Sequence, residues 1–212
     1  MKKLLLSAAL VALIPASAMA QDGLFKKSAG DFLLRGRAVG VIPSEKGDVT
    51  GVGNDALTID NSVVPEFDLT YFLTDNIGLE LIAAVTPHDV NGKGALAGSD
   101  VGDVWLLPPT LTVQYHFDPI EQVGGISPYV GAGVNYTHFF NPDAGDFNKI
   151  KYDSSWGGAL QAGVDIPLAQ NWALNVDVKK VWINSDVTIN NSIKADVDIN
   201  PWLVGVGLGY KF

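Results

Sequence analysis

Three histidines (His88, His116 and His138) and the neighbouring hydroxyls of Ser154 and Ser155 are the side chains that could carry nucleophilic or metal chemistry in this chain. A serine attacks only when a base within hydrogen-bond reach takes its proton, and zinc requires several ligands converging on one point. The histidines fall on separate segments, no motif surrounds either serine, and there is no cysteine to act as nucleophile or ligand. The expectation is a protein that is not an enzyme and that uses no metal or cofactor.

The chemistry that the residue spacing does support is ion pairing. Arg35 and Arg37 are two apart, as are Glu66 and Asp68, and Asp177 and Lys179; apolar residues stand between them. A period of two places such residues on one face of a strand and their neighbours on the other. Strand one therefore presents Arg35 and Arg37 opposite Phe32, Leu34 and Ala38, and strand two presents Glu66, Asp68 and Thr70 opposite Phe67, Leu69 and Tyr71. Glu80, Thr112, Gln114, His116, Gln161, Asp165, Asn175 and Lys211 extend the same polar face. In the last eleven residues Trp202, Val204, Val206, Leu208, Tyr210 and Phe212 share a face that is aromatic at both ends and aliphatic between. That is the lipid-facing pattern of a transmembrane barrel strand.

Eight alternating stretches can be read, near 31–42, 63–73, 76–86, 104–117, 128–139, 155–166, 172–187 and 201–212. Their connections alternate between short and long, with turn chemistry in Thr74-Asp75-Asn76 and Pro167–Asn171. The long ones, 43–62, 87–103, 140–154 and 188–200, are expected as loops. The fold class expected is all-β, an eight-stranded antiparallel up-and-down transmembrane barrel, with short turns on the periplasmic rim. The 172–187 stretch spans about 50 Å when extended, more than the lipid band of about 25 Å, so the wall is expected to project beyond the membrane. Polar residues in so narrow a lumen read as a paired charge network of Arg35, Arg37, Glu66, Asp68, Glu80, Asp165, Asp177 and Lys179. On 128–136, Tyr129 is the one large ring on an otherwise small or polar inner face.

Lys2-Lys3, the apolar run Leu4–Ile14 and Ala18-Met19-Ala20 make residues 1–20 an expected secretory signal peptide, leaving 21–212 as one barrel domain. Without Lys2 and Lys3 the formal charge falls from -9 to -11, with 12 Lys and Arg against 23 Asp and Glu. This argues against nucleic acid as a partner. The expected partners are outer-membrane lipid and lipopolysaccharide, the barrel assembly machinery and small solutes, and the barrel is expected to be a monomer.

Pro108-Pro109 interrupts the fourth stretch. Adjacent residues aim their N–H groups at opposite neighbours, so two prolines remove one ladder donor on each side. Leu107-Pro108-Pro109-Thr110-Leu111 with Gln114-Tyr115-His116-Phe117, Pro128–Thr137, Ser155-Trp156-Gly157 and the closing Gly209-Tyr-Lys-Phe212 resembles the outer membrane protein W family. Where members often carry a histidine before Leu-Pro-Pro, this chain has Leu106. The resemblance implies a monomeric barrel with a hydrophobic internal pocket, and passage of small hydrophobic molecules across the outer membrane. The residues expected to form the pocket and a lateral exit are Val39, Val41, Ile82, Ala84, Leu106, Val181 and Ile183, with Pro108 and Pro109. Tyr210 and Phe212 resemble the C-terminal assembly signal of such barrels. The competing expectation is a structural or surface-recognition barrel with a filled, non-conducting core.

Overall fold

The computed structural model describes residues 25–44, 46–49, 57–59, 61–84, 86–92, 100–140, 150–189 and 193–212. The expected signal peptide, 1–20, lies outside them. The strands are β1 (Phe32–Ile42), β2 (Lys46–Val49), β3 (Leu57–Ile59), β4 (Ser62–Phe72), β5 (Ile77–Ala84), β6 (Thr86–Gly92), β7 (Asp100–Leu107), β8 (Thr110–His116), β9 (Ser127–Phe140), β10 (Ile150–Tyr152), β11 (Ser155–Pro167), β12 (Trp172–Val181), β13 (Asn184–Ile189), β14 (Ile193–Asp198) and β15 (Trp202–Lys211). Among the described residues no helix is long and apolar enough to cross a membrane.

Eight of these strands close a ring in the order β1, β4, β5, β8, β9, β11, β12, β15, with β15 returning to β1 and every pair antiparallel. Leu33, Thr70, Glu80, Thr112, Gly133, Ala159 and Val181 are successive register partners around it. Val181 N–H then donates to Pro201 O, next to the Trp202–Ile42 pair. A path starting near the bottom of β1 thus returns to β1 at its top, a stagger of about ten residues, which tilts the strands as closed barrels require. The eight-stranded antiparallel barrel read from the alternation is the fold observed.

Strand parity sorts the wall. Phe67, Leu81, Leu111, Val134, Leu160, Val204, Val206 and Leu208 point outward and are exposed, while Arg35, Glu80, Asp165 and Asn175 are fully enclosed. Aromatic rings collect at two levels. Near the chain termini Phe32 meets Tyr71 at 4.9 Å, Tyr115 meets Phe117 at 5.1 Å, and Tyr210 meets both Trp172 and Phe212 at 4.9 Å. At the opposite rim Tyr136 lies 4.8 Å from Trp156, and Trp182 and Trp202 are exposed nearby in the wall. These two girdles bound an aliphatic band.

The upper part departs from the sequence reading. The 104–117 and 172–187 stretches are each two strands. The Ile82–Thr110 register continues into the Thr86–Leu106 pair of β6 and β7, and the Lys180–Trp202 register into the Asn184–Asp198 pair of β13 and β14. Each hairpin is therefore one ladder broken where proline withholds a donor: Pro108-Pro109 in the first, Pro201 in the second. At the second break Asn200 takes φ 36°, and its side-chain oxygen accepts the Ile183 N–H at 2.9 Å. The segments expected as loops carry β2, β3, β10, β14 and parts of β6 and β7, and β10, β13, β14 and β2 make a separate four-stranded sheet.

Close backbone approach explains particular glycines. A Cβ on Gly207 would stand 2.0 Å from Gly36 O across the β1–β15 seam, whereas one on Gly40 would meet nothing nearer than 3.8 Å. Gly207→Val is expected to abolish barrel closure and Gly40→Ala to leave folding yield in detergent within about twofold of wild type. Circular dichroism and the heat-dependent gel mobility of the refolded barrel measure both.

Candidate binding cavity and its charged floor

The lower half of the lumen is filled by side chains that the two-residue spacing turns inward. On β1, Arg35 Nη1 lies 3.2 Å from Asp68 Oδ1 and 3.7 Å from Glu80 Oε1, and its Nη2 lies 3.0 Å from Asp165 Oδ2. Arg37 Nε stands 2.9 Å from Glu66 Oε1, its Nη1 donates to Asn175 Oδ1 at 3.1 Å, and its Nη2 bonds Asp68. Lys179 Nζ is 2.6 Å from Glu66 Oε1 and 3.2 Å from Asp177 Oδ1. Glu80 Oε2 accepts from Thr112 at 2.8 Å and Gln161 at 2.9 Å. All eight residues named from the sequence for a charge network meet here. Buried charges persist only when paired and hydrogen-bonded; every charge here is paired, with forked guanidiniums each shared among several carboxylates, although Arg37 Nε and Asp177 Oδ1 have ion-pair contacts without hydrogen-bond geometry.

Tyr129, whose inward direction interrupts the small and polar inner face of β9, belongs to the same network. Its hydroxyl donates to Asp177 Oδ2 at 2.8 Å and accepts from Asn175 Nδ2 at 3.1 Å, while the Arg35 guanidinium lies 5.1 Å from its ring. A buried phenol needs such partners.

The base of the lumen is closed by a segment without strand periodicity, which sequence reasoning missed. Phe25, at φ 57°, packs in a buried cluster with Leu33, Phe72 and Ala173. Lys27 enters the lumen, where its Nζ lies 2.8 Å from Asp165 Oδ2 and 2.9 Å from both Ser127 Oγ and His116 Nδ1. His116 Nε2 reaches Gln114 Oε1 at 2.8 Å, so this histidine is a packed, hydrogen-bonded residue. The segment is tied down by Ala29 N–H to Asp75 Oδ1 at 2.9 Å and Gly30 N–H to Phe72 O at 2.8 Å. Lys211, expected on the polar interior face, instead sits half-buried at the lower rim, 3.3 Å from Asp31, and donates to Lys26 O at 2.6 Å. It pairs with Leu33 as the last residue of β15, at the lower mouth of the barrel, where the rim offers a carboxylate.

Above the charged half the lumen becomes apolar. Val39, Val41, Val64, Ile82, Ala84, Val181, Ile183, Ile199, Pro201, Leu203 and Pro108 line a cavity of about 600 Å³ counting its open mouth, with Glu66 and Lys179 at its floor and Thr110 and Asn135 beside the prolines. Val39, Val41, Ile82, Ala84, Val181, Ile183 and Pro108 are where the sequence placed them. Pro109 follows Pro108 at the break and does not line the cavity, and the Leu106 side chain lies outside the described residues. Val64, Thr110, Ile199 and Pro201 were missed, and Asn135 and Leu203, which parity turns to the inner face, were not assigned to the pocket; parity could have added Val64, whose neighbours alternate cleanly.

Asn135 reconciles the polar backbone at the proline break. Its Nδ2 donates to Pro108 O at 3.2 Å, Pro109 O at 3.4 Å and Thr110 Oγ1 at 2.7 Å, and Thr110 Oγ1 donates to Pro108 O at 3.1 Å. Pro109 O accepts the Tyr136 N–H at 3.0 Å but has no N–H to return. The remaining Ser–His proximity, His138 Nδ1 to Ser154 Oγ at 3.0 Å, is on the exposed upper rim, and neither residue lines the cavity.

A sequence-family model described as OmpW family matches residues 28–212. The chain belongs to the OmpW family. Outer membrane protein W of Vibrio cholerae is 36% identical over 92% of this chain and 95% of its own length. Among solved structures, OmpW-family architecture is shared with OprG from Pseudomonas aeruginosa, at a TM-score of 0.78 and 35% identity, covering 88% of this chain and 97% of that one. AlkL, solved by solid-state NMR in lipid bilayers, superposes with a TM-score of 0.69 at 29% identity, covering 88% of this chain and 92% of that one. The protein is thus an OmpW-family β-barrel of the Gram-negative outer membrane, and its exposed aliphatic band is the lipid-facing surface.

Removing both lumen guanidiniums leaves Asp68 and Glu80 without a cation, while Glu66 and Asp177 keep Lys179 and Asp165 keeps Lys27. Replacing Arg35 and Arg37 together with Met is expected to cost at least about 3–5 kcal/mol, the penalty of breaking one buried pair. The loss should appear as a large drop in thermal midpoint and refolding yield in detergent; unchanged stability would show that these charges are not paired in the membrane.

Proposed function

We propose that this OmpW-family barrel binds small hydrophobic molecules in the upper cavity and passes them across the outer membrane, releasing them sideways through the wall at Pro108-Pro109. The observation that carries this reading is the position of the apolar cavity, directly above a lumen filled with paired charges and against the proline break. A solute in the cavity meets paired charges below and lipid on the other side of a wall lacking two ladder donors. The break is also at a useful height: Tyr136, whose N–H bonds Pro109 O, lies tilted against Trp156 in the upper girdle. An exit there delivers an apolar molecule into the upper edge of the hydrocarbon. The polar lipopolysaccharide layer is the barrier for such a solute, so a route past that layer suffices and no water-filled pore is required.

Tyr210 and Phe212, in the lower girdle beside the β1–β15 seam, fit the proposed assembly signal, with Phe212 N–H donating to Phe32 O at 2.8 Å.

Pro108→Val with Pro109→Thr restores both ladder donors. In proteoliposomes or whole cells this double variant is expected to insert normally and to slow uptake of a hydrophobic solute by about tenfold, the scale of one added barrier of about 1.4 kcal/mol. Normal uptake by the folded variant would remove the lateral exit; no uptake by either protein would favour the structural barrel with a filled core.

A further inference from the structure

The cavity is not apolar throughout, and its polar groups differ in what they have left to offer. Those in the side wall are committed to the backbone: Asn135 Nδ2 serves Pro108, Pro109 and Thr110, Asn135 Oδ1 accepts from Thr137 at 2.7 Å, and Thr110 Oγ1 donates to Pro108 O. The floor is different. Lys179 Nζ faces two carboxylates, Glu66 and Asp177, and an ammonium has three N–H groups. Glu66 Oε1 takes both Lys179 and Arg37, and no hydrogen bond among the described residues uses its other oxygen. Both residues line the cavity. A donor and an acceptor are therefore side by side at the closed end of an otherwise apolar chamber.

Resting on the reading of this cavity as the solute site, we propose that the barrel selects neutral amphiphiles whose hydroxyl head bonds Glu66 and Lys179 while the hydrocarbon body lies along Val39, Val41, Val181 and Ile183: alcohols or phenols rather than plain hydrocarbons. A hydroxyl both donates and accepts, so it can take an N–H from Lys179 and give its proton to Glu66. An alkane covers the same two groups without replacing their water, which costs desolvation with no return. An alkanoate brings a negative charge into a lumen where the buried carboxylates of Glu66, Asp68, Glu80, Asp165 and Asp177 already outnumber the cations Lys27, Arg35, Arg37 and Lys179. Like charge added there is disfavoured.

The test uses the full-length mature barrel in lipid nanodiscs, with methyl NMR shifts of Val39, Val41 and Val181 followed during titration with octane, 1-octanol and octanoate, each referred to its concentration in the bilayer. Octanol is expected to bind about tenfold more tightly than octane and than octanoate, the scale of one or two net hydrogen bonds. Equal binding of octane and octanol overturns the head-group selection while leaving the hydrophobic cavity standing. Tighter binding of octanoate overturns it as well. No shift with any probe overturns both this inference and the solute site it rests on. Glu66→Gln removes one carboxylate charge and is expected to bring octanoate within about threefold of octanol. An unchanged ratio in the folded variant counts against the floor as the selecting element, and the wild-type comparison stands by itself should that variant fail to fold.

Discussion

The two guanidiniums of β1 organise the lumen. Arg35 and Arg37 reach carboxylates on β4, β5, β11 and β12, so one strand draws together groups from around the ring. An eight-stranded barrel leaves just enough interior for side chains to meet across it. Charges held there survive because each has several partners, and their positions fix everything above and below: Lys27 can enter because Asp165 and His116 wait for it, and the cavity begins where the last pair, Glu66 with Lys179, ends. The glycines of β15 are part of the same arrangement. Gly205 and Gly209 would carry a Cβ at 3.3 Å from the Arg37 and Arg35 stems, so their lack of side chains leaves the arginines room to cross the seam.

How much of this was legible depended on whether a segment had a periodic apolar face. On β1, β4, β8 and β12 the lipid imposes strict alternation, and Arg35, Asp68, Gln114 and Asp177 could be assigned inward from spacing alone. The register of the network was not in the spacing. That Arg35 meets Asp165, from the far side of the ring, follows from the stagger, which no single strand reveals. Residues 25–31 have no period at all, so nothing in the sequence singles out Phe25 and Lys27, which fill the base of the lumen. The two wall breaks differed in visibility. Pro108-Pro109 announces itself because both donors vanish, while Pro201 opens the 201–212 stretch and reads as the ordinary first residue of a strand.

The cavity was half legible for a related reason. Val39, Val41 and Ile82 lie on strands whose parity is fixed by charged neighbours lower down, so their direction follows. Ile199 and Pro201 come from the region of the second break, where the ladder pauses and alternation cannot be carried across, while Leu203 follows from the alternation of the last strand. The chamber's polar end was likewise concealed, because Glu66 and Lys179 count as members of the charge network in sequence and become a floor only when the apolar residues above them are in place.

The seam between β1 and β15 sets a kinetic condition on this protein. Leu33 pairs with Lys211, so the contact that closes the ring joins its first strand to its last, across nearly the whole barrel sequence. Folds dominated by such distant pairings form slowly and leave strand edges open to wrong partners meanwhile. Here the delay is compounded, since Arg35 and Arg37 belong to the strand awaiting its last neighbour. Once shut, the same geometry works in reverse: opening the seam exposes two strand edges and disturbs the ion cluster together, so a closed molecule has no cheap first step toward unfolding and its lifetime in the membrane is set by a barrier.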